Sequence, residues 1–304
     1  MAAQELSGTT ALVTGASRGF GRGIATALSK AGANVIGVAR DRDLLDELRA
    51  ELGGTFIPVA ADAADPDVAG QLTDTYRPHT LVLNAGATPL PRPIQYHTWQ
   101  TFSRNWDVDV QHVFHWTREA LLAPLEPGSV VIALSSGAAL RGSPLSGGYA
   151  GAKAAIRWLT SYAAEESQRA ALGIRFVSVL PQLTPATALG AVFAAAYAAR
   201  AGADAAASAG GPALTPEQAG QAITDLVTGG QDQDAYLLTA AGNTTAAPNP
   251  CSPRMAIRRP SFLASPAPSE ATVKMARPAI STRRRPSRSA ARPPRSKKPP
   301  KVIP

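Results

Sequence analysis

The sequence has almost no cysteine and no long uninterrupted apolar run. The single cysteine, Cys251, excludes an intrachain disulfide and fits a reducing compartment. No stretch approaches the roughly 18 consecutive apolar residues that a transmembrane helix needs. The first residues, MAAQELSG, carry no basic residue ahead of an apolar run. We therefore expect a cytoplasmic protein with no signal peptide and no membrane span.

Positive charge is concentrated towards the C-terminus. The formal net charge is +8, yet 14 of the 30 Lys and Arg residues and one of the 22 acidic residues fall in 247–304. The same segment holds 13 of the 26 prolines. Such a composition cannot bury enough apolar surface to offset chain entropy. We predict a folded domain at 1–246 and a disordered basic tail rich in Pro, Arg and Ser at 247–304.

The basic tail raises the question of a nucleic-acid partner. Its densest clusters, Arg283–Arg285 and Lys297–Lys298, could attract phosphate groups electrostatically. It lacks the interleaved aromatic residues that stack on bases. We interpret the tail as an unstructured extension, and nucleic-acid binding is the less favoured alternative.

Short apolar runs alternate with segments of helical length along 1–246. Most of these runs are continuously apolar, as expected for strands buried on both faces of a sheet. The predicted strands are Ala11–Val13, Asn34–Val38, Phe56–Ala60, Thr80–Leu83, Ser129–Leu134, Arg175–Leu180 and Ala235–Thr239. The predicted helices are Gly21–Ala31, Asp43–Leu52, Phe102–Leu122, Ala150–Ala171 and Pro216–Thr228. The alternation predicts an α/β fold, a Rossmann-type doubly wound parallel sheet of about seven strands.

A glycine-rich turn joins the first strand to the first helix. Glycines there allow a tight turn, and the free N–H groups of the helix N-terminus can bind a pyrophosphate. The turn predicts a dinucleotide site that includes Gly15, Ser17, Arg18, Gly19, Phe20 and Gly21.

The end of the second strand indicates which dinucleotide binds. An acid there would accept hydrogen bonds from the ribose hydroxyls of NAD(H), but the sequence has Ala39 followed by Arg40. Arg40 and Arg18 together would favour a 2′-phosphate dianion. We predict NADP(H) as the cofactor, and NAD(H) is the less favoured alternative because Asp41 could partly restore the acid.

Tyr149 and Lys153 are four residues apart and would share one face of a helix. A neighbouring ammonium favours the phenolate form of a tyrosine and makes the phenol a better acid–base catalyst. Ser136 follows an apolar strand, thirteen residues before Tyr149. Together the three side chains predict a catalytic group for proton exchange with an oxygen atom.

These motifs, in this order, resemble the short-chain dehydrogenase/reductase family over about residues 6–243. The resemblance implies that Tyr149 exchanges a proton with the substrate oxygen, Ser136 hydrogen-bonds that oxygen, and Lys153 binds the nicotinamide ribose. Tyr149 and Lys153 would thus also contact the cofactor. Further cofactor contacts are implied for Asp62, Asn84, Ala85 and Gly86.

The fourth catalytic position departs from the family pattern. The family usually has an Asn there, acting largely through its main-chain carbonyl, and the matching residue is Asp109, with Asn105 one turn earlier. Asp109 could preserve this role, or its charge could disfavour the Tyr149 phenolate. We expect that Asp109→Asn keeps turnover within about tenfold.

The segment after the sixth strand also departs from the pattern. Pro181-Gln182 replaces the usual Pro-Gly, and we expect Gln182 to contact the carboxamide edge of the nicotinamide. The family's following Thr could be Thr184 or Thr187. The Ala- and Gly-rich residues 183–213 would form either a mobile lid suited to a broad apolar pocket or a flexible loop.

Two functional hypotheses follow. The first is an NADP(H)-dependent oxidoreductase acting on a small-molecule carbonyl or alcohol. The alternative is a catalytically idle protein that binds or senses NADP(H), with or without nucleic-acid binding by its basic tail. The family resemblance implies a homodimer or homotetramer. His112 and His115 lie three residues apart, but no acid or cysteine completes a metal site.

Overall fold

The computed structural model describes residues 6–201, 212–229 and 233–245. Within these ranges the chain forms one sheet of eight strands in the order β3-β2-β1-β4-β5-β6-β7-β8. Neighbours from β3 to β7 are parallel, and β8 is antiparallel to β7. The strands are β1 (Thr10–Thr14), β2 (Asn34–Ala39), β3 (Phe56–Ala60), β4 (Thr80–Leu83), β5 (Val130–Leu134), β6 (Arg175–Pro181), β7 (Ala235–Thr239) and β8 (Gly242–Thr245).

Helices cover both faces of this sheet, as the doubly wound topology requires. They are α1 (Gly19–Lys30), α2 (Arg42–Leu52), α3 (Pro66–Tyr76), α4 (Trp99–Asn105), α5 (Gln111–Leu122), α6 (Tyr149–Arg169), α7 (Ala188–Ala201) and α8 (Pro216–Thr228). One apolar core packs α1, α2 and α8 against one face, and a second packs α3, α5 and α6 against the other. β1 supplies Ala11 and Val13 to the first core and Leu12 to the second, because successive side chains of a strand point to opposite faces.

The predicted α/β fold is confirmed, and the seven predicted strands match β1 to β7 with small shifts at their ends. The sequence prediction missed β8, whose polar residues give no apolar run. It also missed α3, although Asp65 caps its N-terminus and Pro66 stands in its first turn. Apolar periodicity identifies neither segment, and only the capping residues of α3 gave a signal in the sequence.

The structure corrects one predicted helix and shows another helix that the sequence did not predict. The single predicted helix Phe102–Leu122 is two helices, α4 and α5, joined by a π-helical turn at Trp106–Val110. Residues 183–213 are predicted to form a mobile lid or a flexible loop; the structure shows the regular helix α7 in this segment, which excludes a loop at Ala188–Ala201, and the lid stays a prediction. The boundary at 246 and the predicted tail at 247–304 lie outside the described residues. No helix that the structure describes is both long and apolar enough to span a bilayer.

Candidate active site

A cavity of about 1170 Å³ opens at the carboxyl ends of the parallel strands. β1 and β4 are neighbours there although they are not consecutive in sequence, and such a reversal of strand order leaves a crevice in which ligands bind. Nearly all of the predicted site residues line this cavity. The lining residues among them are Gly15, Ser17, Arg18, Gly19, Phe20, Arg40, Asp62, Asn84, Ala85, Gly86, Ser136, Tyr149, Lys153, Pro181, Gln182 and Thr184.

The glycine-rich turn after β1 is held in place by neighbouring strands. Gly15 has φ +67° and Gly19 has φ +55°, a left-handed conformation that glycine adopts without strain. The Gly15 N–H donates to the Val38 carbonyl at 2.7 Å. Gly21 does not line the cavity; a Cβ at Gly21 would overlap the Gly15 carbonyl oxygen, so this glycine allows the turn to pack on α1.

Asn84 and Thr14 connect the turn to the end of β4. The Asn84 side-chain amide donates to the carbonyls of Thr14 (3.1 Å) and Gly15 (3.3 Å). The Thr14 hydroxyl accepts from the N–H groups of Asn84 and Ala85 and donates to the Val82 carbonyl. Sequence reasoning missed Thr14, although a hydroxyl residue directly before the first glycine was a visible signal. These bonds fix the backbone that faces the crevice.

The part of the cavity that follows β2 and β3 carries charges of both signs. Arg18 and Arg40 are exposed on the lining, and neither forms an ion pair within the described residues. Asp41 accepts a hydrogen bond from the Leu44 N–H and caps α2. Asp62 accepts from the Ala64 N–H and also lines the cavity. Asp41 therefore caps α2 through one carboxylate oxygen, and the residue also lines the cavity.

Ser136, Tyr149 and Lys153 converge on the cavity from two segments. Ser136 follows β5, and its hydroxyl accepts from the Ala138 N–H. Tyr149 is the first residue of α6, and the Lys153 Nζ lies 5.7 Å from the centroid of its ring. The Ser135 hydroxyl donates to the Lys153 carbonyl at 2.7 Å, which ties α6 to the end of β5. Residues distant in sequence therefore share one wall.

Lys153 forms a buried ion pair with Asp109. The Lys153 Nζ lies 3.2 Å from Asp109 Oδ2 and donates to the Leu134 carbonyl at 3.1 Å. The two residues are only 6% and 1% exposed. Burial lowers the pKa of Lys153, but the charges of Asp109 and Tyr149 and the hydrogen bond that Lys153 donates to Asp109 outweigh it, so the pKa is raised above its usual value. The ammonium is thus maintained in a largely dry environment.

Asn105 holds the other side of Asp109. The Asn105 amide donates to the Ala87 carbonyl at 2.9 Å and lies 3.4 Å from both Asp109 carboxylate oxygens. The Ala87 N–H donates to Asp109 Oδ1 at 2.7 Å. Asp109 does not itself line the cavity but contacts it through Lys153. Sequence reasoning placed Asn105 outside the site; its i, i+4 spacing from Asp109 was the available signal.

The segment after β6 forms the wall that faces α7. The Gln182 N–H donates to the Leu238 carbonyl, and the Thr184 hydroxyl donates to the Leu214 carbonyl at 2.8 Å. The Thr187 hydroxyl accepts from the Gly190 N–H at the start of α7. Thr184 and Thr187 both line the cavity.

His112 is fully buried beside the cavity. Burial, followed by the positive charge of Lys153, lowers the pKa of His112 to about 3, so the ring is neutral. Trp116 contacts it edge-on from the next turn of α5. No cluster of three or more metal-ligating side chains occurs in the part of the chain that the structure describes.

A family model for the short chain dehydrogenases matches residues 9–197. The chain is 32% identical to the L-xylulose reductase of Mus musculus over 183 residues, 59% of this chain and 74% of the relative. It is 34% identical to a versicolorin reductase of Emericella nidulans over 161 residues, 50% of this chain and 60% of the relative.

The fold is also similar to that of solved structures with a bound nicotinamide dinucleotide. A 3-ketoacyl-(acyl-carrier-protein) reductase from Brucella melitensis, complexed with NADH, is 27% identical with a TM-score of 0.61; the match covers 73% of this chain and 91% of that one. A blue fluorescent protein from a metagenomic library, in complex with NADPH, is 28% identical with a TM-score of 0.53, covering 59% and 75%. The resemblance drawn from the sequence is confirmed: the chain belongs to the short-chain dehydrogenase family and is an oxidoreductase of carbonyl or alcohol groups that uses a nicotinamide cofactor.

Proposed function

We propose that the protein is an NADP(H)-dependent carbonyl reductase or alcohol dehydrogenase in which Tyr149 is the acid–base group. The observation that carries this proposal is the convergence of Ser136, Tyr149 and Lys153 on the same cavity as the glycine-rich turn. A phenol, a hydroxyl and a buried ammonium are the groups that proton exchange with a carbonyl oxygen requires.

The residues present fit a dinucleotide. The left-handed Gly19 has open space where a Cβ would stand, and the left-handed Gly15 lets the turn approach Asn84 and Ala85 closely. The N-terminus of α1 follows this turn, and its free N–H groups could bind a pyrophosphate. Arg18, Arg40 and Lys153 line the same cavity, with Arg40 directly after β2 and Lys153 beside the end of β5. When bound, the dinucleotide supplies the hydride.

The chain's own side chains account for the proton and the orientation. The Tyr149 phenol would donate its proton to the carbonyl oxygen during reduction and remove it during oxidation. The Ser136 hydroxyl would hydrogen-bond the same oxygen. Lys153, already bound to Asp109 and Leu134, has one donor left for the ribose hydroxyls. Holding these groups in place lowers the barrier by pre-organisation.

NADP(H) is the proposed cofactor because Arg18 and Arg40 can pair with a 2′-phosphate. One carboxylate oxygen of Asp41 already accepts the hydrogen bond that caps α2. We expect that Arg40→Asp lowers the ratio of kcat/KM for NADPH over NADH by about tenfold or more, since a repulsive charge replaces an attractive one. Steady-state rates with both cofactors measure this ratio. Arg169→Asp, an exposed charge reversal at the end of α6, is the matched control, and an equal ratio in both variants would refute the assignment.

The experiment that tests the proposed function is NADPH oxidation across a panel of aldehydes and ketones. Tight NADPH binding, followed by fluorescence, without turnover of any carbonyl would favour the alternative, an idle NADP(H)-binding or sensing protein. The relatives named L-xylulose reductase and versicolorin reductase indicate that the panel should include L-xylulose and versicolorin.

We further propose a homodimer or homotetramer formed through α5 and α6. These helices pack side by side, and Phe114 on α5 and Tyr162 on α6 are exposed aromatic residues. We expect Phe114→Glu combined with Tyr162→Glu to yield monomers, because burying two carboxylates opposes association. Light scattering on the eluted protein gives the mass; a monomeric parent protein would rule out the assembly.

A further inference from the structure

Two aromatic side chains of α7 extend the site beyond Tyr149. The Phe193 ring centroid lies 5.6 Å from that of Tyr149, with the planes tilted by 43°. The Tyr197 ring stacks on Phe193 one turn later, at 6.1 Å. Both residues line the cavity. A substrate whose oxygen reaches the Tyr149 hydroxyl would therefore have this aromatic pair next to its remaining atoms.

The hydroxyl groups of this wall are already engaged by the protein. The Tyr197 hydroxyl contacts the Ser143 hydroxyl, which in turn lies 3.1 Å from the Ser146 hydroxyl. The Thr184 hydroxyl donates to the Leu214 carbonyl, and the Thr187 hydroxyl accepts from the Gly190 N–H. A hydroxylated substrate buried here would lose hydrogen bonds to water and regain few from these groups.

Large apolar side chains are left exposed around the same cavity. Leu183 is 54% exposed, and Leu140 and Val192 are each 43% exposed. They come from three separate segments, after β6, after β5 and from α7, yet all three line the cavity. Exposed apolar groups that converge on one cavity gain free energy when an apolar ligand covers them.

We propose that the substrate is a carbonyl compound with a bulky apolar group, such as an aryl ketone, and not a polyhydroxylated sugar. This inference rests on the proposed function, because it assumes that Tyr149 acts on the carbonyl. The aryl group would pack between Phe193 and the side chains of Leu140, Leu183 and Val192. Arg141 and Gln182 also line the cavity and are exposed, so a single polar substituent is compatible with the site.

The test compares two diones that differ only in the group beside one carbonyl, together with a sugar. 1-Phenyl-1,2-propanedione and 2,3-butanedione share the dione, and L-xylulose is the polyhydroxylated comparison. With the full chain and NADPH, we expect kcat/KM for the aryl dione to exceed both others by about tenfold or more. If butanedione or L-xylulose is reduced equally well or better, the substrate assignment is wrong while the proposed function stands.

Variants on the exposed part of the wall distinguish a preference due to this wall from a difference in the intrinsic reactivity of the substrates. Leu183→Gln combined with Val192→Thr keeps the approximate volumes and, at exposed positions, should not prevent folding. We expect the ratio of kcat/KM for the aryl dione over butanedione to fall by about tenfold. Leu122→Gln, an exposed leucine outside the cavity, is the matched control and should leave the ratio unchanged.

The remaining outcomes are also decisive. An unchanged ratio in the double variant would overturn the assignment of this wall to the substrate. NADPH binding without oxidation by any of the three compounds or by the wider panel would overturn the proposed function and this inference together, and that result is distinct from turnover with the wrong preference.

Discussion

Tyr149→Phe is expected to lower kcat for carbonyl reduction by about a thousandfold, about 4 kcal/mol of barrier, because the phenolic proton is lost. The ring itself would remain, so its packing against Phe193 and the Lys153 stem should persist. NADPH affinity should change by less than about threefold, since the proposed contacts to the pyrophosphate and the 2′-phosphate involve the glycine-rich turn and Arg40. Steady-state rates and NADPH fluorescence titration measure the two quantities.

Tyr162→Phe is the matched control for this prediction. Tyr162 lies on the same helix but is exposed, away from the cavity. It should keep turnover near that of the parent protein. A Tyr149→Phe protein that retains most of its turnover would show that another group moves the proton, and the proposed role of Tyr149 would be abandoned.

Asp109→Ala is expected to destabilise the folded protein by about 3–5 kcal/mol, because it leaves the buried Lys153 ammonium without its carboxylate partner. The Ala87 N–H would lose its acceptor as well, and the Asn105 amide would keep only the Ala87 carbonyl. Denaturant unfolding gives the change in stability. Turnover should fall in parallel, since Lys153 and the backbone at Ala87 would no longer be held.

Two further variants isolate the charge. Asp109→Asn keeps an oxygen for the Ala87 N–H, and we expect turnover within about tenfold of the parent protein and a smaller loss of stability. Asp109→Ala combined with Lys153→Met should recover part of the lost stability, because no unpaired charge remains. An unfolding midpoint of Asp109→Ala equal to that of the parent protein would contradict the importance of the ion pair.

Local patterns made much of the fold predictable. Parallel strands buried on both faces appear as continuous apolar runs, and this is why the seven runs identified β1 to β7. β8 pairs through its backbone at the sheet edge, and its polar residues Gly242–Thr245 carry no such pattern. The many small residues of α7 give no clear amphipathic period, so the sequence predicts a lid or loop there. The structure shows a regular helix, and its Phe193 packs against Tyr149.

The same division holds within the site. The glycine-rich turn and the Tyr149–Lys153 spacing depend on a few consecutive residues, so the sequence alone determined the glycine-rich turn, the helix that carries Tyr149 and Lys153, and the family. Only the tertiary structure decided the rest. It brought Asn105, Asp109 and Lys153 together across a π-helical turn, engaged Asp41 as a cap, and placed Phe193 beside Tyr149. Such contacts depend on how distant segments pack, and the free energy that selects them comes from buried surface and paired charges that no short stretch of sequence contains.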